Sequence, residues 1–212
     1  MQAIDSLIFD MDGTLWDAVP SYCAVWDATI EVLGVGRKKV DYDELVSLMG
    51  KPLNEIYDAL IGDKYYDREK FLTLLFKNED EMMPRMGGKL YDGVEDTLKN
   101  LQKSYKLFMV SNCSSDGMKN FLGFTKLRKY FTDTLTFGDT RVDKDVNIKR
   151  LIDTYGLKRA VYVGDIQRDA DSTHAAGIEF VWAAYGFGNV KNADFQINSF
   201  AELRTKVLNN GN

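Results

Sequence analysis

The chain has 212 residues, of which 45% are hydrophobic and 28% are charged, and its formal net charge is −5. This composition is ordinary for a globular protein with a buried core, and the length suits one large domain or one domain with an insert. The negative charge argues against a nucleic-acid partner. No apolar stretch approaches the ~20 residues that are needed to cross a bilayer.

The cysteine content and the amino terminus indicate a cytoplasmic protein. Cys23 and Cys113 are too few for a disulfide framework, so we interpret them as reduced thiols. Residues 1–5 contain no basic side chain before the first apolar run, which argues against a signal peptide. We therefore expect a cytoplasmic chain with neither a membrane nor a nucleic-acid partner.

The first predicted element is a short strand, Ser6–Phe9, whose continuous apolar run is typical of a strand buried on both faces. Asp10 and Asp12 follow it directly, and Gly13 supplies a bend that leaves both carboxylates at the carboxyl edge of a sheet. Two carboxylates in one small volume ionise readily only beside a cation, and Mg²⁺ prefers such oxygen ligands. A strand that simply ends in a polar turn could also carry the acids of Asp-x-Asp-Gly. Polar residues elsewhere in the chain must therefore decide between a plain turn and a metal site.

Residues 16–86 are predicted to form an all-helical block. Apolar residues recur there at steps of three and four, with glycines at the ends of the segments. The four predicted helices cover residues 16–33, 40–49, 53–61 and 67–83. We interpret the aromatic side chains of this block as the core of a helical bundle.

From Gly87 onward, predicted strands alternate with predicted helices. The strands are 106–110, 135–137, 160–163, 180–183 and 195–197, and the helices are 92–103, 117–124, 146–155, 168–176 and 200–208. Ser199 is the predicted cap of the last helix. The alternation predicts an α/β fold, a Rossmann-like parallel sheet whose strands all end at one edge. Residues 1–15 and 87–212 would form this core, and residues 16–86 an inserted helical cap that acts as a lid.

Other polar residues follow the predicted strands of this sheet. Ser111 and Asn112 come after the strand 106–110, and a hydroxyl, an amide and the backbone N–H groups of a turn suit a phosphate oxygen. Lys144 lies in a predicted loop, and Asp165 and Asp169 follow the strand 160–163. Taken singly, Ser111 and Asn112 would also suit a turn, and Lys144 would suit solvated surface.

Taken together and in this order, these four stretches resemble the four motifs of the haloacid dehalogenase-like superfamily, which consists mostly of phosphatases. The string Asp-x-Asp-Gly-Thr at residues 10–14 resembles its first motif, and the helical insert resembles its members with a cap after that motif. Response-regulator receivers also place acids, a hydroxyl and a lysine at strand ends, but they lack both the insert and this string.

The resemblance implies a role for each acidic residue. Asp10 would be the nucleophile that forms an aspartyl phosphate. Asp12 would be the general acid and then the general base, and would offer its backbone carbonyl to Mg²⁺. Asp165 would bind the metal directly, whereas Asp169 would act through water or hold Lys144 in place.

The resemblance also implies which residues bind the transferring phosphoryl group, namely Thr14, Ser111, Asn112 and Lys144. Asp145 follows Lys144 where the family often has proline, so Lys149 is a competing candidate for the lysine. We prefer Lys144 because it precedes the predicted helix 146–155, whereas Lys149 lies inside it.

Lys51 is the candidate for substrate selection. It stands in the break Gly50-Lys51-Pro52-Leu53, which resembles the specificity loop of phosphoglycolate phosphatase-like enzymes, although a solvated lysine at a helix end is an equal alternative. Arg85 and Lys89 have a similar status, and His174 is interpreted as a surface residue.

The resemblance implies a Mg²⁺-dependent phosphatase of small phosphorylated metabolites, monomeric or weakly dimeric. Aspartate at position 12 indicates an oxygen leaving group, because the dehalogenases of this superfamily, whose leaving groups need no such acid, do not carry aspartate there. One alternative is a β-phosphoglucomutase-like enzyme that returns the phosphate to a sugar. Another is a regulatory member that binds a phosphorylated ligand without turnover.

Overall fold

The computed structural model describes residues 3–208, so the ends of the predicted core, 1–2 and 209–212, lie outside the described residues. The strands are β1 (Ser6–Phe9), β2 (Trp16–Asp17), β3 (Lys89–Leu90), β4 (Lys106–Ser111), β5 (Asp133–Thr136), β6 (Ala160–Gly164), β7 (Glu179–Ala183) and β8 (Phe195–Ile197). The α-helices are α1 (Val19–Leu33), α2 (Tyr42–Val46), α3 (Leu53–Leu60), α4 (Arg68–Met86), α5 (Val94–Leu101), α6 (Ser115–Thr125), α7 (Phe137–Thr140), α8 (Lys144–Tyr155) and α9 (Gln167–Ala175). Short 3₁₀ or π-helical turns cover Gly62–Lys64, Leu127–Tyr130, Phe200–Glu202 and Arg204–Leu208.

Six strands form one parallel sheet in the order β5-β4-β1-β6-β7-β8. β1 lies inside this sheet, with Phe9 in register with Met109 on one side and Val163 on the other. All four residues of β1 have no exposed surface, which explains the apolar run Leu7-Ile8-Phe9. The predicted α/β class with a Rossmann-like parallel sheet is confirmed.

The core of the sheet follows from the alternation of side chains along each strand. Ile8, Phe108, Tyr162 and Phe180 point to one face, where they form a buried cluster with residues of α8 such as Leu151. The odd-numbered residues of β1 point to the other face, where the ring of Phe9 contacts the rings of Phe131 and Phe200. Burial of both faces fixes the strand register and hence the position of every residue that follows a strand.

The described residues divide into two compact units, one made of the residues up to Asp17 together with those from Lys89 onward, and the other of Ala18–Gly88. The six-stranded sheet lies in the first unit. In the second unit α1 packs against α4, and Phe71 of α4 contacts the rings of Trp26 and Tyr57. None of the helices within residues 3–208 combines the length and the apolar content that a membrane span needs.

The start of the predicted helical insert is wrong in one respect. Trp16 was expected in the first helix, but it lies in β2 and pairs antiparallel with Leu90 of β3. Its side chain is fully buried, with its ring edge-on to that of Phe121. Burial of this large ring in the first unit therefore outweighs the helical spacing of the sequence.

Two further helix predictions need correction. The helix predicted at 40–49 is the shorter α2. It begins after Asp41, whose side chain caps it by accepting a 2.8 Å hydrogen bond from the N–H of Glu44. The helix predicted at 200–208 is a 3₁₀ turn followed by a π-helical turn, and Ser199 makes no side-chain cap hydrogen bond. There the carboxylate of Glu202 accepts a 2.8 Å hydrogen bond from the N–H of Asn198 instead.

Candidate active site

Asp10 lies at the carboxyl end of β1, where it is 7% exposed. Its N–H donates to the carbonyl of Val163 at 2.9 Å, which continues the parallel pairing with β6 by one residue. Gly13 then turns the chain with a φ of +79°, and its N–H donates to the carbonyl of Trp16 at 2.9 Å. A Cβ at position 13 would lie 2.0 Å from Oδ2 of Asp165, so this turn requires glycine for space as well as for conformation.

Lys144 connects two of the buried carboxylates. Its Nζ lies 3.0 Å from Oδ1 of Asp10 and 2.5 Å from Oδ1 of Asp169, and all three side chains are buried. Lys144 is the first residue of α8 rather than a loop residue, which corrects its predicted position. The competing candidate, Lys149, is exposed and lies 3.4 Å from Asp145 on the surface of the same helix.

The other acidic residues follow β6. Asp169 accepts hydrogen bonds at its Oδ2 from the N–H groups of Asp165 (3.1 Å) and Ile166 (3.3 Å), which orient its Oδ1 toward Lys144. Asp165 accepts at Oδ1 from the hydroxyl of Thr14 at 3.3 Å and at Oδ2 from the N–H of Phe187 at 2.9 Å. Residues from two distant parts of the chain thus fix the Asp165 carboxylate.

Burial and mutual charge shift the pKa values of this cluster. Burial raises the pKa of Asp10 to about 6, against the opposing charge of Lys144. Burial also raises the pKa of Asp165 well above its usual range, and the neighbouring Asp169 and Asp10 charges add to the rise. Burial alone would lower the pKa of Lys144, but the attraction of Asp10 and Asp169 outweighs it and raises that pKa well above the usual value. Lys144 is therefore charged at neutral pH.

The acidic cluster suits a divalent cation. Asp10, Asp165 and Asp169 each offer a carboxylate oxygen, and these oxygens lie within 4.8 Å of one another. With all three carboxylates ionised and Lys144 charged, the cluster carries two more negative charges than positive ones. Burial is the first cause of the raised pKa values of Asp10 and Asp165, and neighbouring carboxylates add to the rise. Two positive charges placed among these hard oxygen ligands would favour the ionised carboxylates.

The remaining predicted phosphate-binding residues follow β1 and β4 at the carboxyl edge of the sheet. Ser111 is the last residue of β4 and is buried, and its Oγ accepts a 3.3 Å hydrogen bond from the N–H of Cys113. The register of β1 with β4 puts Asp10 beside Val110, one residue before Ser111. Asn112, partly exposed, follows directly. Thr14 is fully buried in the turn after Asp12.

Asp12 faces a different partner from the other acids. Its Oδ1 accepts a 2.9 Å hydrogen bond from the indole Nε1 of Trp16, and its side chain is partly exposed. The acidic cluster described above is formed by Asp10, Asp165 and Asp169 and does not include the carboxylate of Asp12.

Lys51 lies in the other unit, exposed in the turn before α3. Arg85 and Lys89 are also exposed. His174 is partly exposed, and its Nε2 lies 2.9 Å from Oδ2 of Asp194. Cys23 and Cys113 are both reduced cysteines rather than members of a disulfide.

Sequence reasoning missed the loop that follows β7. The N–H of Phe187 holds Asp165, and the hydroxyl of Tyr185 donates to the carbonyl of Thr14 at 2.8 Å. A Cβ on Gly186 would lie 2.3 Å from the carbonyl oxygen of Gly13, so the loop backbone packs directly on the first turn of the site. The available signal was the pair of glycines, Gly186 and Gly188, just beyond a buried strand.

The fold and the site together define the class of protein: a parallel α/β domain with a lysine-bridged acidic cluster at the carboxyl ends of its central strands. Residues 7–183 match the haloacid dehalogenase-like hydrolase family. The chain therefore belongs to that family, and the resemblance predicted from its four motifs is confirmed.

Similar proteins and structures agree with this assignment. The phosphoglycolate phosphatase of Aquifex aeolicus is 26% identical over 212 residues, which cover 96% of this chain and 96% of that protein. The phosphoglycolate phosphatase of Aliivibrio fischeri is 27% identical over 199 residues, covering 88% of this chain and 86% of that protein. The crystal structure of a predicted phosphoglycolate phosphatase from Haemophilus somnus matches with a TM-score of 0.86 at 20% identity, covering 97% of this chain and 98% of that chain, and supports the fold.

Proposed function

We propose that this protein is a Mg²⁺-dependent phosphatase that hydrolyses small phosphate monoesters through a phosphorylated Asp10. The observation that carries the proposal is the buried bridge from Lys144 to both Asp10 and Asp169. A lysine this deeply buried holds the Asp10 carboxylate in one orientation and supplies positive charge where a phosphate would arrive.

In the first step, an oxygen of the Asp10 carboxylate forms a bond to phosphorus, and the bond between phosphorus and the ester oxygen breaks. The bonding electron pair leaves with that oxygen, which takes the proton of Asp12, so an alcohol departs and Asp12 becomes ionised. In the second step Asp12 removes a proton from water as the water oxygen attacks phosphorus. The phosphorus bond to Asp10 then breaks, which releases inorganic phosphate and restores both aspartates to their starting states.

Charge explains why a cation belongs in this proposal. A phosphate monoester brings about two negative charges. It would approach an acidic cluster that, when fully ionised, already carries two more negative charges than positive ones. Asp10 and Asp165 would hold the cation through carboxylate oxygens and Asp12 through its backbone carbonyl, with Asp169 acting through water or through Lys144. Bound there, Mg²⁺ would neutralise charge on the transferring group as it develops. Thr14, Ser111, Asn112 and Lys144 would bind the phosphoryl oxygens.

The substrate is proposed to be a small phosphorylated metabolite with a second anionic group, because the relatives of Aquifex aeolicus and Aliivibrio fischeri are phosphoglycolate phosphatases. The unit Ala18–Gly88 leaves the core directly after the Asp12 turn and returns at β3, as an inserted cap would. Lys51 of that unit would contact the second anionic group. Two cysteines that form no disulfide suit a cytoplasmic enzyme, and we propose that the protein works there as a monomer or weak dimer.

The test is Asp10→Asn, measured as phosphate released from a panel of phosphorylated metabolites with Mg²⁺. The amide cannot act as the nucleophile, so turnover should fall at least about 1,000-fold while the circular-dichroism spectrum is retained. Asp153→Asn, an exposed substitution of the same kind on α8, should leave the rate unchanged. Near-normal release by Asp10→Asn would contradict the nucleophile assignment. Isomerisation of a hexose 1-phosphate without phosphate release would instead identify a mutase.

A further inference from the structure

We propose that Trp16 is a positioning residue that orients the carboxyl group of Asp12 for proton transfer to the leaving oxygen. This inference rests on the proposed function, because it concerns the acid that the phosphatase mechanism needs. It assigns a catalytic contribution to a residue that belongs to none of the four motifs.

The first observation is a hydrogen bond from a fully buried donor. Nε1 of Trp16 donates to Oδ1 of Asp12 at 2.9 Å, and Trp16 has no exposed surface. A buried indole N–H needs an acceptor inside the protein, so this bond persists whenever the ring keeps its place.

The second observation is that both the backbone and the ring of Trp16 are fixed. Its carbonyl accepts the N–H of Gly13 at 2.9 Å, and the residue pairs with Leu90 across the ribbon formed by β2 and β3. Its ring meets the ring of Phe121 edge-on, with centroids 4.9 Å apart at 75°. These three contacts fix the indole N–H of Trp16, which lies only four residues after Asp12 in the chain.

Fixing Oδ1 has a chemical consequence for a protonated Asp12. The oxygen that accepts the indole hydrogen bond takes the carbonyl role, so the acidic proton resides on Oδ2. The same bond sets the rotation of the carboxyl group about its Cβ–Cγ bond. A general acid works only when its proton lies within hydrogen-bond reach of the leaving atom, so this rotation contributes directly to the rate of ester cleavage.

A purely structural role would look different in solution. If Asp12 merely satisfied the indole, removing the N–H would lower stability and would affect every substrate equally. If Trp16 orients the acid, the loss depends on the leaving group. Esters of alkyl alcohols need a proton on the departing oxygen, whereas p-nitrophenyl phosphate releases a stable phenolate and needs far less help.

The experiment compares kcat/KM for an alkyl phosphate and for p-nitrophenyl phosphate in Mg²⁺-loaded Trp16→Phe. This constant reports the steps up to phosphoryl transfer to Asp10, in which Asp12 acts as the acid. We expect a loss of at least about 10-fold for the alkyl ester and below about 3-fold for the aryl ester, a part of the 10²–10⁴-fold effect of a general acid. Trp26→Phe, which also removes an indole packed against a phenylalanine, should leave the ratio of the two constants unchanged.

Further variants separate this inference from the proposed function. Asp12→Asn should lower kcat/KM for the alkyl ester more than for the aryl ester. Adding Trp16→Phe to Asp12→Asn should produce little further change in the ratio of the two constants. If Trp16→Phe fails to fold, β-(3-benzothienyl)alanine at position 16 keeps the ring shape and removes only the donor. Equal losses of kcat/KM for both esters in Trp16→Phe, or no loss, would overturn the positioning role of Trp16. A selective loss in Asp12→Asn would in that case still support Asp12 as the general acid. An Asp12→Asn variant without leaving-group selectivity would remove the acid assignment itself.

Discussion

Replacing Lys144 by methionine should destabilise the protein strongly, because the substitution keeps most of the side-chain volume and removes the charge. The side chains of Lys144, Asp10 and Asp169, taken without their backbone atoms, are 3%, 10% and 1% exposed. Removing one partner from a buried ionic cluster leaves uncompensated buried charge, which costs about 3–5 kcal/mol. We expect a loss of that size in the free energy of unfolding at pH 8, measured by urea denaturation without Mg²⁺.

The pH dependence of this loss is a second part of the same prediction. Burial already gives Asp10 a pKa of about 6 with Lys144 present, and removing the lysine raises that pKa further. A carboxyl group whose pKa is raised in the folded state loses stabilisation as the pH rises through that value. The deficit of Lys144→Met should therefore be smaller at pH 5, where Asp10 takes up a proton, than at pH 8.

Lys149→Met is the matched control, because Lys149 lies five residues beyond Lys144 on the same helix, exposed and paired with Asp145. Surface pairs of this kind contribute about 0.3–0.5 kcal/mol. Phosphate release should be lost in Lys144→Met and retained in Lys149→Met. A destabilisation of Lys144→Met below about 1 kcal/mol at pH 8, or one equal to that of the control, would show that Lys144 does not compensate the buried charge of Asp10 and Asp169.

Three further predictions concern the same cluster, the loop beside it and the helical unit. Because the pKa values of Asp10 and Asp165 are raised, the cation-free protein should become less stable as the pH rises through about 6, and Mg²⁺ should raise the melting temperature more at pH 8 than at pH 5; equal shifts at both pH values would argue against binding at these carboxylates. Gly186→Ala would bring a Cβ to 2.3 Å from the carbonyl oxygen of Gly13, so we expect a loss of about 1–3 kcal/mol together with reduced turnover, whereas Gly123→Ala on α6 has open space and should not destabilise; equal unfolding midpoints for the two variants would contradict the close packing. Lys51→Ala should lower kcat/KM for phosphate esters with a second anionic group more than for neutral esters, and unchanged relative rates would remove its proposed role.

The first strand and the turn after it could be predicted because their signals are local. The apolar run of β1 and the acids and glycine that follow it specify a buried strand that ends in a turn at the sheet edge, and the structure has both. The order of strands along the chain then brought Lys144 and Asp165 to the same edge, since parallel strands connected by right-handed crossovers all end there.

The position of Trp16 could not be predicted, because it depends on residues far along the chain. β2 exists only by pairing with β3, more than 70 positions later, and the ring of Trp16 packs against α6 beyond that. Neither contact leaves a periodic signal near Trp16. Trp16 instead fits the three- and four-residue spacing of the apolar residues that follow it, so it was predicted to be helical, although the helix α1 begins only at Val19.

The loop after β7 escaped prediction for a related reason. Its contribution is made by a backbone N–H at Phe187 and by close packing at Gly186, and neither depends on a chemically reactive side chain. The segment 200–208 shows the opposite difficulty. Its buried residues, Phe200, Leu203 and Val207, have helical spacing, but steps of three and four also fit the 3₁₀ and π-helical turns that the chain adopts.

The most direct test of the proposed chemistry is to find the phosphoryl group on the protein. A reaction of the Mg²⁺-loaded protein with a ³²P-labelled phosphate ester, quenched in acid during turnover, can be digested and mapped by peptide. We expect label on the peptide that contains Asp10 and no label in Asp10→Asn. Label on a different residue, or full release of phosphate with no labelled peptide at any quench time, would contradict it.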